Sequence, residues 1–381
     1  MMRPMKLAGE QLMFGQGCLA HLKTLKGKRA FIVSTRSALE KSGTIDQIIG
    51  YLREAGIDSR VYTNVEPDPS FATVSLGARQ MCDYNPDWII AVGGGSAMDA
   101  AKAMWIYYEH PELTTLAEIV PPNGIPKLRN KARLVCIPST SGSASEVSRS
   151  IVITDEQTGF KHGIGNMELM PDIALCDPAV TATMPPSLTA NTGMDALTHA
   201  VEAYVSRRAN YLADILASAA VRDIFAYIKR AYDDGSDMEA REYMLNASMT
   251  AGLAFTNVSL GIVHSMAHTL GSYFKIPHGL GDAVILPYII AFNSRMDYAK
   301  DKYDALAREI GADSFEQAVI SLNESLGIPS SFKDMIDREK YDALIGDMAD
   351  MAMADGCTKT NPVIPTREEQ IGLFRQVYDG V

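Results

Sequence analysis

One aspartate and three histidines in the second half of the chain form a candidate ligand set for a single divalent metal ion: Asp195, His199, His264 and His278. Asp195 and His199 stand four positions apart, and on an α-helix this spacing places both side chains on one face. Four of the seven histidines lie between positions 199 and 278, in largely apolar surroundings. A buried aspartate needs a partner, and a cation supplies one.

Imidazole nitrogens with one carboxylate oxygen suit Fe(II) or Zn(II), whereas oxygen ligands alone would indicate Mg(II) or Ca(II). Such an ion supports Lewis-acid or hydrolytic chemistry. The alternative is a solvated pair of Asp195 and His199 on a helix surface, with the other histidines hydrogen-bonded in the core. For any one histidine taken alone, that alternative is the better interpretation. For four such residues together on apolar helices, the metal site is the better one.

A second candidate site lies between Trp88 and Lys102. The apolar run 88–92 predicts a buried strand, the glycines 93–95 a turn without side chains, and Ser96 onward a helix. Backbone N–H groups at such a helix start favour an anion, most simply a pyrophosphate. The spacing differs from the usual dinucleotide fingerprint, whose third glycine would fall at Met98. For the glycines alone, a plain strand-to-helix turn is an equally good interpretation.

Composition and charge indicate a soluble two-domain enzyme. The 381 residues are 47% hydrophobic, enough for two cores, and the net charge of −11 disfavours nucleic acid and anionic membranes as partners. The five cysteines are scattered without a Cys-x-x-Cys pair, which is typical of reduced thiols. Since neither an apolar leader nor a membrane span is evident, we expect a cytoplasmic protein.

The pattern of apolar residues and the composition of the sequence change near position 185. Before it, short β-rich runs alternate with helical stretches, which predicts a Rossmann-like α/β nucleotide-binding domain with a parallel sheet over residues 1–185. After Pro185-Pro186, helical periodicity dominates and predicts an all-helical metal-binding and catalytic domain over residues 186–381. The predicted strands are Arg29–Ser34, Asp58–Thr63, Trp88–Val92, Arg133–Ile137 and Ile151–Thr154.

Several motifs recur together in the order of one known family. They are Phe14-Gly15-Gln16-Gly17, Gly93–Ser96 with Asp99 and Lys102, Pro138–Val147, Asp177-Pro178, Gly193–Ala196 with His199 and Glu202, the histidine block Gly261–Gly279, and Asn361-Pro362. With these motifs the chain resembles, over essentially its whole length, the iron-activated (group III) alcohol dehydrogenases, which include lactaldehyde reductase and propanediol and butanol dehydrogenases. The resemblance implies a dehydroquinate-synthase-like architecture.

The resemblance also implies a chemistry. The matching Asp195, His199, His264 and His278 would hold the metal, which polarises a carbonyl group while hydride arrives from the nicotinamide C4. His268 matches a histidine of the active site that does not bind the metal, so proton relay or substrate positioning is expected of it. The alternative is that His268 only orients a ligand through a hydrogen bond.

For the cofactor, the resemblance implies NAD(H), with NADP(H) as a second option. The implied contacts are Gly94, Gly95 and Ser96 to the pyrophosphate, Ser139, Thr140 and Ser143 to the phosphates or the nicotinamide side, and Lys161 to the nicotinamide ribose. The alternative for Lys161 is a surface lysine beside Asp155. Thr35 replaces the aspartate that holds the adenosine ribose in NAD-preferring members, and Arg36 is suited to pair with a 2′-phosphate.

The substrate end of the sequence also departs from the family. Ser150 stands where relatives often carry a larger side chain, and Lys359 follows Cys357 in a segment that approaches the same pocket. A small polar pocket with a cation would suit a short aldehyde that carries a carboxylate or sulfonate. The alternative is that Lys359 faces solvent.

We therefore predict a metal-dependent, NAD(P)-linked alcohol dehydrogenase or aldehyde reductase for a short-chain aldehyde or primary alcohol. A homodimer or higher homo-oligomer is implied by the resemblance. One alternative is a dehydroquinate-synthase-like, NAD-dependent lyase, which would need several Lys and Arg beside the ligands, where the sequence offers almost none. Another is a non-catalytic nucleotide-binding protein with a structural metal.

Overall fold

The computed structural model describes residues 5–35 and 43–380. The chain divides into two compact units, Met1–Met184 and Pro185–Val381. Within the described ranges, none of the helices combines the length and the apolar character that a membrane crossing requires.

The first unit is built on a parallel six-stranded sheet. Its strand order is β1-β8-β5-β4-β2-β3. The strands of the unit are β1 (Gln11–Phe14), β2 (Arg29–Thr35), β3 (Asp58–Val65), β4 (Trp88–Gly93), β5 (Arg133–Pro138), β6 (Ser150–Thr154), β7 (Lys161–Gly165) and β8 (Ile173–Cys176). The described helices are α1 (Thr44–Glu54), α2 (Phe71–Tyr84) and α3 (Gly95–Glu109).

Apolar residues cover both faces of this sheet because side chains alternate along each strand. In β4, Ile89 and Ala91 belong to one buried cluster, whereas Trp88, Ile90 and Val92 belong to another. Burial on both faces explains why the strand reads as a continuous apolar run, which is typical of parallel sheets covered by helices.

Four of the five predicted strands lie in the parallel sheet, and this part of the prediction is confirmed. The fifth, Ile151–Thr154, is a strand, but its assignment to the alternating βαβ pattern was wrong. It belongs to β6, which pairs with β7 as an antiparallel two-stranded ribbon outside the main sheet. Two short strands of the sheet, β1 and β8, were not predicted.

Every regular element in the described residues of the second unit is a helix. Its helices are α4 (Pro186–Val205), α5 (Tyr211–Asp233), α6 (Met238–Val258), α7 (Ile262–Phe274), α8 (His278–Asn293), α9 (Asp297–Glu309), α10 (Phe315–Ser325), α11 (Arg338–Ala354) and α12 (Arg367–Asp379). Pro186 at the first position of α4 has the fixed φ that suits a helix start. Most of α4 is buried on all sides, so it is the central helix of this unit. The predicted fold class is confirmed.

Candidate metal centre and nucleotide site

The central helix α4 supplies two of the predicted ligands. Asp195 and His199 face the same way one turn apart, with Asp195 Oδ1 3.6 Å from His199 Nδ1. Both residues are buried. The ring of His199 stacks on Phe255 with the centroids 4.4 Å apart, which fixes the plane of the imidazole.

The helices α7 and α8 bring the other two histidines to the same carboxylate oxygen. Asp195 Oδ1 lies 3.8 Å from His264 Nε2 and 3.8 Å from His278 Nε2. The four residues selected from the sequence therefore converge on one point, although the last of them follows the first by more than eighty positions. The structure leaves the solvated-pair alternative without support, because Asp195 and His199 are both inside the unit.

These separations fit a bound cation better than they fit hydrogen bonds. Ligand atoms about 2.1 Å from an ion in a tetrahedral arrangement stand about 3.4 Å apart, close to the observed 3.6 and 3.8 Å. In the described residues, Asp195 Oδ1, His199 Nδ1 and His264 Nε2 are buried without a hydrogen-bond partner. Buried polar atoms are rarely left unpaired, so their convergence indicates a site for a cation.

Burial and neighbouring groups also lower the pKa of His264, which favours metal binding. Burial first, and then the neighbouring His199 and His268, hold the pKa of His264 well below its usual range. The imidazole is therefore neutral at physiological pH, which is the form that binds a metal ion.

Glu202 fixes the orientation of His264. His264 Nδ1 donates to Glu202 Oε2 over 2.7 Å, so Nε2 is the nitrogen turned toward Asp195. The same carboxylate accepts the backbone N–H groups of Gly261 and Val263 at the start of α7, over 2.8 and 2.7 Å. Burial raises the pKa of Glu202 to about 7, against the opposing effect of the two amides. This arrangement of carboxylate, histidine and metal sets both ring tautomer and direction.

From the sequence, Glu202 was recognised only as part of a family motif, with no role predicted for it. Its position three residues after His199 and seven after Asp195 placed it on the same face of α4, which was an available signal. The partner amides come from a different helix, and only packing reveals them.

A glycine allows α8 to approach α4 closely enough for His278 to reach the centre. A methyl group at Gly279 would lie 2.1 Å from the carbonyl oxygen of Asn191 and 3.3 Å from Asp195 Cβ. Any side chain there would push the two helices apart. The sequence Pro277-His278-Gly279 thus combines a ligand with the small residue that its position requires.

A second carboxylate, Asp282, lies in the centre and was missed. One ligand atom from each of Asp195, His264, His278 and Asp282 lies within 4.8 Å of the others, and His199 is not part of this group. Asp282 is fully buried, and burial together with the charges of Asp195 and Glu202 raises its pKa well above the usual range. It stands four residues after His278, the same spacing that identified Asp195 and His199.

His268 lies beside the ligands and is paired with an acid. Its Nδ1 is 2.8 Å from Asp355 Oδ2, and its ring stacks parallel to His278 with 5.2 Å between centroids. The amide of Cys357 donates to the other oxygen of Asp355 over 2.8 Å. Burial acts to raise the pKa of Asp355, but the hydrogen bond and charge of His268 outweigh it, so the net pKa is lowered.

In the first unit, the predicted glycine loop joins β4 to α3 at the carboxyl edge of the sheet. Gly93 has φ +154°, and a methyl group on it would meet Ala97 at 2.6 Å. Ser139 follows β5, the neighbouring strand, and its N–H donates to the Gly93 carbonyl over 2.8 Å. The predicted residues of both loops therefore lie side by side.

The side chains of the second loop face the bare backbone of the first. A methyl group at Gly94 would lie 3.3 Å from Thr140 Oγ1, and one at Gly95 would lie 3.1 Å from Ser143 Cβ. Hydroxyl groups and unobstructed amides at a helix N-terminus form an environment suited to a phosphate group. Because the loop packs against these hydroxyl residues, the plain-turn alternative explains less of the arrangement.

Ser96 and Lys161 are connected through Asp68. The Asp68 N–H donates to Ser96 Oγ over 3.3 Å, and its carboxylate pairs with Lys161 Nζ at 2.8 Å. The lysine side chain is only 12% exposed and its partner is Asp68, so the alternative of a surface lysine beside Asp155 receives no support. Thr35 ends β2, next to β4, and the predicted Arg36 lies outside the described residues.

Asp99 and Lys102, two residues of the family motifs, hold the loop after β5 in place through hydrogen bonds. Lys102 is fully buried, and its ammonium donates to the carbonyl oxygens of Ser145 and Ser148 and to Ser145 Oγ over 2.7 to 2.9 Å. Asp99 accepts from Ser145 Oγ over 2.7 Å. The Ser150 carbonyl also accepts from Lys102, over 3.3 Å. Asp99 and Lys102 together fix the conformation of the serine-rich segment.

The predicted substrate cation, Lys359, lies in a short 3-10 helix of the second unit and is exposed. This agrees with the solvent-facing alternative. Cys357 takes part through its backbone, in the contact with Asp355 described above.

Comparisons with known proteins cover nearly the whole chain. The family model "Iron-containing alcohol dehydrogenase" matches residues 9–178, and "Fe-containing alcohol dehydrogenase family, C-terminal" matches residues 189–378. An NADPH-dependent butanol dehydrogenase from Clostridium saccharobutylicum is 44% identical over 377 residues, which cover 96% of each chain.

Solved structures give the same picture. An iron-containing alcohol dehydrogenase from Thermococcus thioreducens superimposes with a TM-score of 0.93 at 33% identity, over 99% of this chain and 100% of that one. A 1,3-propanediol oxidoreductase superimposes with a TM-score of 0.93 at 34% identity and the same coverage.

Proposed function

Because the chain belongs to the iron-containing alcohol dehydrogenase family, we propose that it interconverts a short-chain aldehyde and the primary alcohol with NAD(P)(H) at one divalent metal ion. The observation that carries this proposal is the convergence of three histidine nitrogens on Asp195 Oδ1 at 3.6 to 3.8 Å. Neither the lyase nor the non-catalytic alternative is favoured by the comparisons.

The residues that would hold the metal are Asp195, His199, His264 and His278. When bound there, a divalent Fe or Zn ion would supply Lewis acidity to a carbonyl oxygen and stabilise the alkoxide that forms as hydride is transferred. The protein contributes the placement: Glu202 keeps Nε2 of His264 turned inward, and Gly279 lets His278 reach Asp195.

His268 is proposed to move the proton. Its Nδ1 is engaged by Asp355, so the proton on Nδ1 is held and Nε2 remains the atom that exchanges a proton with the alcohol oxygen or with water. The alternative, in which His268 only orients a metal ligand, receives no support from a hydrogen bond, because its observed partner is Asp355 rather than a ligand.

For the cofactor, we propose that Gly94, Gly95 and Ser96 bind the pyrophosphate at the start of α3. Ser139, Thr140 and Ser143, from the loop after β5, would contribute hydroxyl and amide contacts, and Lys161 would approach the ribose. Thr35 carries no negative charge to repel a 2′-phosphate, and the similar butanol dehydrogenase is named NADPH-dependent. We therefore propose that NADP(H) is accepted.

The protein is further proposed to act in the cytoplasm as a homodimer or higher homo-oligomer. None of the five cysteines, all of which lie in the described ranges, is part of a disulfide. The edge strand β1 ends at Phe14, which is 60% exposed and could pair with a second copy. Sedimentation of the purified protein measures the number of copies.

The central test is the oxidation of NADPH and of NADH by metal-free protein with butanal, before and after addition of Fe(II) or Zn(II). We expect turnover only after metal is added. A second panel compares butanal with succinic semialdehyde, and Lys359→Ala with the wild type. An unchanged KM for both aldehydes in that variant would remove the anionic-substrate hypothesis. Full activity of the chelated protein would contradict the proposed function.

A further inference from the structure

Asp282 is a buried acid that is not among the four ligands proposed above. It lies on α8 one turn after His278, with a relative exposure of 0%. Neither of its carboxylate oxygens has a hydrogen-bond donor among the described residues. Its only ion-pair partner among the described residues is His278, itself one of the proposed ligands, so a charged carboxylate here needs a further source of positive charge.

The position of this carboxylate indicates what that partner is. Asp282 Oδ2 lies 3.3 Å from Nε2 of His278, the nitrogen that also faces Asp195. Adjacent ligands about 2.1 Å from an octahedral ion stand about 3.0 Å apart, and opposite ligands about 4.2 Å. The candidate atoms of Asp282, Asp195, His264 and His278 lie within 4.8 Å of one another. The distances from His278 Nε2 to Asp282 and to Asp195, 3.3 and 3.8 Å, fall between the values for adjacent and opposite ligands.

We propose that Asp282 is a further protein ligand of the metal, so that two carboxylates and the histidines bind one cation. The inference rests on the proposed function, since it concerns the same ion. Two carboxylates together carry the two negative charges that neutralise a divalent cation. The single aspartate of the four-ligand set supplies only one of them. Added carboxylate oxygen also makes the site harder, which favours Fe(II) and Mn(II) relative to Zn(II).

Spectroscopy of the Co(II)-substituted protein tests direct coordination. The visible d–d bands of Co(II) intensify as its coordination number falls, so losing a ligand is visible without any turnover. Asp282→Leu removes the oxygen and leaves an apolar side chain that discourages water from replacing it. We expect more intense bands in this variant than in the wild type, and bands of unchanged intensity would overturn the ligand assignment.

Affinity provides a second measurement on a variant that keeps the shape of the side chain. For Asp282→Asn, we expect Co(II) and Mn(II) binding to weaken about 10- to 100-fold, with a smaller loss for Zn(II). The matched control is Asp177→Asn, an equally buried aspartate in the first unit whose oxygens accept the Leu19 and Ala179 amides. Binding within twofold of wild type in Asp282→Asn, or an equal loss in Asp177→Asn, would overturn the proposal.

Thermal unfolding separates loss of a ligand from damage to the fold. Without metal, Asp282→Asn should be at least as stable as the wild type, because it removes a buried acid that lies close to the carboxylate of Asp195. With saturating Mn(II), its rise in Tm should be smaller than the wild-type rise. A variant that is less stable without metal and gains as much from Mn(II) would contradict the proposal. If the wild type itself binds no metal, the proposed function fails, whereas a failure confined to the Asp282 variants refutes only this inference.

Discussion

Replacing Glu202 by glutamine tests whether the second carboxylate around His264 determines metal affinity. Glu202 Oε1 accepts the N–H of Val263, and Oε2 accepts both the N–H of Gly261 and Nδ1 of His264. A glutamine has one oxygen and one NH2 group, so one of these positions becomes a donor facing a donor. The least unfavourable orientation keeps the oxygen on His264 and leaves the Val263 amide unpaired.

The size of the effect follows from that geometry. An unpaired buried donor costs about 1 to 3 kcal/mol, and the two remaining hydrogen bonds lose their charged acceptor. Because His264 can still donate to the amide oxygen, its orientation is weakened rather than abolished. We therefore expect the dissociation constant for Zn(II) to rise about 10- to 100-fold, which is the range typical of partners that orient metal ligands.

The assay is a competitive titration of metal-free protein with Zn(II) against a chromophoric chelator. The matched control is Glu146→Gln in the first unit, an equally buried glutamate whose oxygens have no hydrogen-bond partner in the described residues. We expect the control to bind Zn(II) like the wild type. An affinity of Glu202→Gln within twofold of wild type, with the fold intact, would refute the role assigned to these hydrogen bonds.

Three further changes test other parts of the structure. Gly279→Ala should lower metal affinity at least tenfold, because the added methyl group would lie 2.1 Å from a backbone oxygen. The measurement is a Zn(II) titration. The control is Gly372→Ala, whose methyl group would meet nothing within 4 Å. Burial raises the pKa of Glu146 from 4.5 to about 7, so the folded state binds the extra proton and stability falls as pH rises through this window. Glu146→Gln should remove the contribution of this group to that fall, while Glu202, whose pKa is also raised to about 7, still contributes. The variant should gain on the order of 3 kcal/mol over the wild type at pH 8.5. A stability difference between variant and wild type that is the same at pH 5 and pH 8.5, measured by urea unfolding, would contradict this. Asp355→Asn should lower kcat about 10- to 100-fold with little change in KM, since only the hold on His268 is altered; a rise in KM at constant kcat would instead indicate a binding role.

The parts of the site that the sequence predicted are those encoded by residue type and local spacing. Asp195 and His199 form an i, i+4 pair on a helix, and rare histidines in apolar segments are conspicuous. The glycine run after β4 is equally local, since it marks a strand end and a helix start. Neither prediction required knowledge of tertiary packing.

The parts that were missed depend on contacts between distant segments. Asp355 reaches His268 across 87 positions, and Glu202 reaches the start of α7 across about sixty. In the sheet, β1 and β8 have four residues each, too few for a periodic pattern. They are defined by long-range pairing, β1 with β8 and β8 also with β5. Asp282 had a usable i, i+4 relation to His278, but an aspartate at that spacing is common on exposed helices, and only its burial gives it meaning.

The metal centre is more acidic than its ligand set suggests, and this has a physical consequence. In the described residues, each of three histidines has a carboxylate of its own: His264 has Glu202, His268 has Asp355, and His278 has Asp282. Asp195 adds another negative charge, and the ion pairs of these acids among the described residues involve histidine only. Burial disfavours a negative charge on Glu202 and on Asp282, so in the metal-free centre packing offsets the electrostatic cost of keeping these acids together. A bound divalent cation would turn this repulsion between acids into attraction to the ion. The same electrostatic energy therefore determines both the affinity for the ion and the gain in stability of the helical unit when the ion binds.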